Sequence, residues 1–123
     1  MTTNSKPILC LDFDGVLHSY TSGWRGANNI PDPPVPGAME FLTKAVKHFR
    51  VAIYSARSGQ PGGIDAMRAW LINHGCPGSV FAEIEWPTDK PSAFVTLDDR
   101  VVTFTGEWPD MQTLKEFKPW TQK

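Results

Sequence analysis

The chain has little of what marks several classes of protein. Lys and Arg total 12 against 13 Asp and Glu, so the formal net charge is −1. Proteins that bind nucleic acid mainly through charge are far more basic than this chain. The two cysteines, Cys10 and Cys76, form no CxxC and have no histidines at zinc spacing. No apolar run approaches the ~18 residues of a membrane helix. The composition therefore predicts no membrane partner and no structural zinc.

The start of the chain also lacks a targeting pattern. Residues 1–7 contain no apolar stretch of the kind that a secretion signal needs. Together with the unpaired cysteines, this favours a cytoplasmic location. The 123 residues, of which 41% are apolar, suit one globular domain over 1–123 with one hydrophobic core. The P-loop, the dinucleotide GxGxxG and the zinc-protease HExxH patterns are missing from the sequence.

Apolar periodicity predicts alternating strands and helices. Short apolar runs predict five strands, at 8–11, 51–54, 80–82, 94–97 and 101–104. Apolar residues at three-and-four spacing predict helices over 38–49 and 64–71, and a short terminal helix covers 110–117. Residues 18–37, rich in proline and glycine, predict a long loop. This order indicates an α/β fold with a mainly parallel, five-stranded sheet.

Polar side chains stand where the predicted strands end. They are Asp12 and Asp14 after the first strand, Ser55 after the second, Asp98 and Asp99 after the fourth, and Lys90 in the loop before the fourth. The carboxyl ends of parallel strands meet at one edge of a sheet, where open α/β folds hold their ligands. We therefore expect these side chains to converge on one crevice.

The residue types in this crevice suggest a chemistry. Several carboxylates repel one another unless a cation lies among them, and hard oxygen ligands favour Mg²⁺. A lysine and a serine beside the metal would bind an anion. A metal, an anion site and an exposed aspartate suggest phosphoryl transfer, in which an aspartate can be the nucleophile.

The same residues resemble the motifs of a known family. Leu11 to Leu17, with Asp12-Phe13-Asp14-Gly15 inside it, resembles the first motif, DxDG(V/T)L, of the haloacid dehalogenase (HAD) superfamily. Ser55, Lys90 and Asp98-Asp99 resemble the second, third and fourth motifs, in the same order. The resemblance extends over residues 8 to 104 and implies a Rossmann-like three-layer sandwich.

The resemblance implies catalytic and metal-binding roles for the aspartates. Asp12 would attack phosphorus, and Asp14 would protonate the leaving oxygen and then activate water. Mg²⁺ would be held by Asp12, by the main-chain carbonyl of Asp14 and by Asp98, with Asp99 helping directly or through water. An acid at position 14 favours a phosphatase over a dehalogenase.

The resemblance also implies how the phosphoryl oxygens are held. Their partners would be Ser55, Lys90 and the backbone amides of Phe13 and Ala56. Lys90 lies only eight residues before Asp98, so it would arrive from a loop rather than from a long helix.

The sequence leaves little room for a separate cap domain. Neither residues 18–37 nor residues 58–93 could form one, so the chain resembles the capless class, with 18–37 near the site in place of a cap. An open site suits a large substrate, such as a phosphorylated polynucleotide end or protein. It equally suits a small substrate that a neighbouring subunit of a homo-oligomer covers.

Four further residues are candidates for substrate contact: Arg57, His18, Trp24 and Arg25. For three of them a plainer interpretation exists, since Arg57 could pair with a surface acid, His18 could be a solvated loop residue and Trp24 could fix the loop to the body. The leading hypothesis is a Mg²⁺-dependent phosphomonoesterase, with nucleotide or polynucleotide phosphate slightly ahead of sugar phosphate as substrate. The alternatives are a non-catalytic phosphoryl-binding or regulatory module and a phosphotransferase on the same fold.

Overall fold

A small parallel sheet organises the protein, of which a computed structural model describes residues 6–122. Its strands are β1 (Ile8–Leu11), β2 (Arg50–Ile53) and β3 (Val95–Leu97). The strand order is β2-β1-β3, and both pairings are parallel. Leu11 is in register with Ile53 and with Leu97, so the three strands end at the same level. The α/β class and the parallel sheet are therefore confirmed, whereas both termini of the predicted 1–123 domain lie outside the described residues.

The helices and the loop follow the apolar periodicity in the first two thirds of the chain. The structure has α1 (Ala38–His48), α2 (Gly63–Asn73), α3 (Gly78–Phe81), α4 (Met111–Lys115) and a 3₁₀ turn at Trp120–Gln122. α1 and α2 lie where the three-and-four spacing predicts them, and residues 18–37 form no helix or strand, apart from an isolated bridge between His18 and Pro34. None of the helices within residues 6–122 has the length and apolar character needed to cross a bilayer.

The hydrophobic core lies on one face of the sheet. Side chains alternate along a strand, so Leu9 and Leu11 of β1 share a face with Val51 and Ile53 of β2. All four are buried and pack against apolar residues of the covering helices, among them Leu42, Ala45, Met67, Trp70 and Leu71. On the other face Cys10 and Ala52 are buried too, and both cysteines are unbonded, as expected. Burial on both faces explains why β1 and β2 are continuous apolar runs.

The predicted strand at Val80–Ala82 is wrong. Residues 78–81 form the single helical turn α3, in which the Phe81 amide donates to the Pro77 carbonyl at 2.8 Å. This turn buries Val80 against the core. A run of three apolar residues is too short to distinguish a strand from a buried helical turn. The residue that pairs with β2 is instead Glu85, which forms an isolated parallel bridge with Ala52.

The predicted strand at Val101–Phe104 is also wrong, so the described residues form three strands rather than five. Residues 101–105 have no regular structure, and Val101, Val102 and Phe104 are each 56% exposed. β-branched residues favour a strand where a partner strand is available, as β1 is for the exposed β3, and residues 101–104 have no such partner among the described residues. The terminal helix is also shorter than predicted and covers Met111–Lys115. Asp110 is its N-cap, whose side chain accepts a hydrogen bond from the Thr113 amide at 2.8 Å.

Candidate active site

Three carboxylates meet at the carboxyl edge of the sheet. Asp12 directly follows β1, and Asp98 and Asp99 directly follow the neighbouring β3. The Asp12 amide donates to the Leu97 carbonyl at 3.0 Å, which places the two strand ends side by side. Each of the three aspartates offers an oxygen, and these oxygens lie within 4.8 Å of one another. We call Asp12, Asp98 and Asp99 the acidic cluster.

The acidic cluster carries charge that the described residues do not balance. Burial, the contact with the Asp99 carboxyl and the charge of Asp98 raise the pKa of Asp12 to about 8, against a smaller opposing effect of the Phe13 amide. Within residues 6–122, no lysine or arginine forms an ion pair with the cluster. Asp99 Oδ1 is buried there without a hydrogen-bond partner. This donor set fits a divalent cation that prefers oxygen ligands.

Gly15 allows the acidic cluster to approach the loop after β1. Its φ is +82°, which disfavours residues with a Cβ, and the Asp99 carboxylate occupies the space that a Cβ at Gly15 would need. The Gly15 carbonyl accepts a hydrogen bond from the Trp120 indole at 2.7 Å, so the final 3₁₀ turn packs on the same loop. The glycine of the DxDG pattern is therefore required on steric grounds, because any side chain at this position would collide with Asp99.

Asp14 lies two residues from Asp12 but has cationic and neutral donors around it. Its Oδ1 accepts from Arg57 Nη2 at 3.1 Å, from Arg57 Nε at 3.2 Å and from His18 Nδ1 at 2.9 Å. Its Oδ2 accepts from Arg57 Nε at 3.0 Å. Both Arg57 and His18 are fully buried, whereas 15% of the Asp14 side chain is exposed. Oδ2 therefore has fewer partners than Oδ1.

His18 connects this pair to the 18–37 loop. The Asp32 amide donates to His18 Nε2 at 3.1 Å. A backbone amide is only a donor, so Nε2 accepts and the neutral ring carries its proton on Nδ1, facing Asp14. The ring also stacks on Phe13 with centroids 5.6 Å apart. His18 is thus a buried connecting residue rather than a solvated loop residue at the site entrance.

Arg57 lies inside the protein rather than at the mouth of the crevice. Its Nη1 donates to loop carbonyls of Gly26 at 2.8 Å and Ala27 at 3.0 Å, and its guanidinium carbon lies 4.8 Å from the Trp24 ring centroid. Because Arg57 is fully buried, its partner is Asp14 and the loop, not a surface acid or a solvent-facing ligand. Sequence reasoning missed this pair, since nothing in the spacing of 14 and 57 signals it.

A cleft of about 260 Å³ opens beside the acidic cluster. Its lining includes Ser55, Ala56 and Trp24, as the sequence predicts, and also Tyr20 and Arg100, which sequence reasoning missed. Asp14 and the three aspartates of the cluster complete the lining. The cleft therefore combines an acidic floor with hydroxyl, aromatic and cationic groups.

Five predicted residues lie outside the lining of this cleft in the part of the chain that the structure describes: Phe13, His18, Arg25, Arg57 and Lys90. Lys90 is exposed in the loop before β3, and Arg25 is exposed with its Nε donating to the Ser22 carbonyl at 3.1 Å. The predicted phosphate donors are also partly engaged: the Phe13 amide donates to Asp12 Oδ1 at 2.9 Å, and Ser55 Oγ accepts from the Arg57 amide at 3.1 Å. Arg100 is the cationic side chain among the lining residues.

Comparisons of the chain with protein-family models, curated proteins and solved structures found no significant match. The resemblance of its four motifs to the HAD superfamily therefore stays a prediction. The chemistry of the site follows from its own residues, which combine uncompensated carboxylates, one arginine-bound carboxylate and a cleft wide enough for a small ligand.

Proposed function

We propose that this protein is a Mg²⁺-dependent phosphomonoesterase that acts through an aspartyl-phosphate on a HAD-type, Rossmann-like fold without a cap domain. The observation that carries the proposal is the acidic cluster, whose three carboxylates lie within 4.8 Å of one another at the carboxyl edge of a parallel sheet. An open crevice at that edge is where α/β folds bind their ligands.

Asp12, Asp98 and Asp99 would hold the metal ion, with the Asp14 carbonyl as a further ligand. When bound, Mg²⁺ supplies positive charge that stabilises the cluster and the phosphoryl oxygens of a substrate. The buried, unpartnered Oδ1 of Asp99 supports this assignment, since an orphaned carboxylate oxygen is costly without a cation or a donor.

Asp12 is the nucleophile in this proposal. One of its carboxylate oxygens forms a bond to phosphorus while the bond from phosphorus to the ester oxygen breaks, and the leaving oxygen takes a proton from Asp14. Water then attacks phosphorus, Asp14 takes a proton from it, and inorganic phosphate and free Asp12 are released. Balancing positive charge beside Asp12 favours its carboxylate form, which the attack requires.

In this proposal Asp14 would take the acid-base role through one of its two oxygens. Oδ1 is occupied by His18 and Arg57, whereas Oδ2 accepts only from Arg57 Nε among the described residues. Asp14 also lines the cleft beside Asp12. Oδ2 is therefore the oxygen that would carry the transferred proton.

A second candidate function has a specific observation in its favour. Asp14 is bound by a buried arginine, and Lys90 lies outside the cleft. A carboxylate fixed in this way, beside a cleft whose lining does not include Lys90, suits a module that binds a phosphoryl group without turning it over. The expected partner is a phosphorylated molecule in either case.

The experiment that tests the proposal measures phosphate release from p-nitrophenyl phosphate and a panel of phosphate esters, with and without Mg²⁺. Asp12→Asn should reduce Mg²⁺-dependent turnover by at least roughly 10³-fold, the scale of removing a catalytic nucleophile. The matched control is Asp65→Asn, since Asp65 is exposed on α2.

The outcomes separate the candidate functions. Turnover that needs Mg²⁺ and Asp12 supports the phosphatase. Binding of inorganic phosphate without turnover of any ester supports the non-catalytic module and contradicts the enzyme. Transfer of the phosphoryl group to an added alcohol, in place of water, would identify a phosphotransferase.

A further inference from the structure

The cleft beside the acidic cluster contains two aromatic side chains, Tyr20 and Trp24, both from the 18–37 loop. Binding a metal ion or a phosphoryl group requires charged or hydrogen-bonding groups, and an aromatic ring supplies neither. An aromatic ring in a small ligand cleft instead offers a flat apolar surface on which a planar group can stack. The two rings therefore point to the rest of the ligand rather than to its phosphoryl group.

Trp24 is exposed and yet held in place. Its side chain is 45% exposed, while the Arg57 guanidinium carbon lies 4.8 Å from its ring centroid. Arg57 is itself fixed by Asp14 and by the carbonyls of Gly26 and Ala27. A ring fixed before binding loses little conformational freedom when a ligand stacks on it.

Tyr20 has a backbone conformation that needs an explanation. Its φ is +61°, the only positive φ at a residue other than glycine among residues 6–122. Such a conformation is uncommon for a bulky residue and persists where the surroundings enforce it. The Tyr20 ring packs edge-on against His18, with centroids 5.9 Å apart, and lines the cleft beside Asp14. Tyr20, the residue with the strained backbone, is thus the second aromatic residue that lines the cleft.

We propose that Trp24 is a specificity-determining residue that stacks on the base of a nucleoside phosphate whose phosphoryl group lies at the acidic cluster. The inference rests on the proposed function and names its substrate class. Stacking of a base on an aromatic side chain contributes about 1–3 kcal/mol and accepts any base. The net charge of −1 favours one terminal or free nucleotide over a long charged strand.

The test compares two esters in three variants. We expect Trp24→Leu to lower kcat/KM about five- to 150-fold for a nucleoside monophosphate, the fold-change to which a loss of roughly 1–3 kcal/mol of stacking corresponds. For glycerol phosphate, which has no ring, the expected change is less than about twofold. Trp24→Phe should keep most of the preference for the nucleotide. Trp108→Leu is the matched control, because Trp108 is 87% exposed and lies outside the cleft.

A binding measurement separates this inference from the proposed function. Calorimetry in Mg²⁺ would compare a nucleoside phosphonate with an alkyl phosphonate, neither of which can be hydrolysed as an ester. If wild type hydrolyses no ester, the phosphatase proposal fails, and tighter, Trp24-dependent binding of the nucleoside phosphonate still supports the stacking role.

Other outcomes overturn the stacking role. An equal loss for the nucleotide and for glycerol phosphate in Trp24→Leu would show that Trp24 only fixes the loop. Equal binding of the two phosphonates would contradict it as well. Parallel assays with 3′- and 5′-mononucleotides and a 3′-phosphorylated oligonucleotide show which nucleoside phosphate is used, and each preferred ester must lose its advantage in Trp24→Leu.

Discussion

Two aspartates that lie two residues apart have opposite electrostatic surroundings. Asp14 faces the buried guanidinium of Arg57 and the Nδ1 proton of His18. Asp12 faces two further carboxylates, and its pKa is raised to about 8 by burial and by those neighbours. The two residues leave the same strand end, so chain position alone does not account for the difference.

The difference shows that the protein neutralises the charge of Asp14 with its own arginine. Arg57 fixes Asp14 and, through the same guanidinium, the carbonyls of the 18–37 loop. The acidic cluster forms no ion pair with a lysine or an arginine among the described residues, and its oxygens lie close enough together to hold a metal ion. Asp14 is therefore neutralised within the protein, whereas the three carboxylates of the acidic cluster are the ones that we propose as a cation site.

The largest expected effect comes from removing the internal partner of Asp14. Arg57→Met should lower the free energy of unfolding by about 3–5 kcal/mol, because a buried carboxylate then loses its cation. The matched control is Arg50→Met. Arg50 also binds a carboxylate through two nitrogens, those of Glu85 at 2.8 and 2.9 Å, but this pair is solvent-exposed. Chemical denaturation should show a small change for the control.

A second variant checks the cause of that loss. In Arg57→Met combined with Asp14→Asn, the uncharged amide no longer needs a cation, so part of the lost stability should return. If the double variant is as unstable as the sum of the two single variants, the arginine acts through the loop carbonyls instead. Equal effects of Arg57→Met and Arg50→Met would contradict the contrast between the two aspartates.

A smaller effect is expected where Gly15 meets Asp99. Gly15→Ala should lower stability by about 2–3 kcal/mol, because a Cβ there is strained at positive φ and displaces the Asp99 carboxylate. Gly75→Ala is the control, since Gly75 has φ +89° and open space around it. Only Gly15→Ala should also reduce the rise in melting temperature that Mg²⁺ produces.

Equal losses in the two glycine variants would mean that positive φ alone matters. An undiminished response of Gly15→Ala to Mg²⁺ would separate Asp99 from the metal site. Denaturation in urea and thermal melts with and without Mg²⁺ give both quantities.

The smallest expected effect concerns the pH dependence of the metal-free protein. The pKa of Asp12 is raised from 3.8 to about 8, so folding favours its protonated form. This contribution to stability is complete below pH ~4 and is lost as the pH rises towards 8. Asp12→Asn removes the repulsion, so in EDTA at pH 8 it should melt at least about 5 °C above wild type, the shift that roughly 1 kcal/mol produces.

In Mg²⁺, wild type should melt at a higher temperature than Asp12→Asn. The metal should raise the melting temperature of wild type more at pH 8 than at pH 5, and raise that of Asp12→Asn less. Glu107→Gln, exposed and outside the helices and strands, should behave as wild type. A melting temperature of Asp12→Asn that equals wild type at both pH values in EDTA would show that the cluster carries no uncompensated charge.

Most of the elements that the sequence predicts well have a buried face; the exception is β3, which was predicted to within one residue although all three of its residues are exposed. β1, β2, α1 and α2 lie within about two residues of their predicted limits, because their apolar residues cover one shared core. The runs at 80–82 and 101–104 were misassigned for different reasons. The first is short enough to bury one residue in a helical turn, and the second has strand-forming residues without a neighbouring strand.

The same distinction applies to the site. Asp12, Asp98 and Asp99 were predicted to converge because strand ends in a parallel sheet share an edge, and the structure brings them together. Tyr20 and Arg100 were missed, and Lys90 lies outside the cleft, because loop paths decide their positions. Loop residues carry no periodicity from which such a path could be read.

The sequence by itself determined the parallel α/β core and the gathering of acidic residues at one sheet edge, since both follow from local apolar runs and the residues that end them. Only the tertiary structure decided which carboxylate would be neutralised. That depended on Arg57 reaching Asp14 from another strand end and closing the 18–37 loop over it. A long-range ion pair is fixed by where the chain folds, whereas a strand is fixed largely by the residues within it.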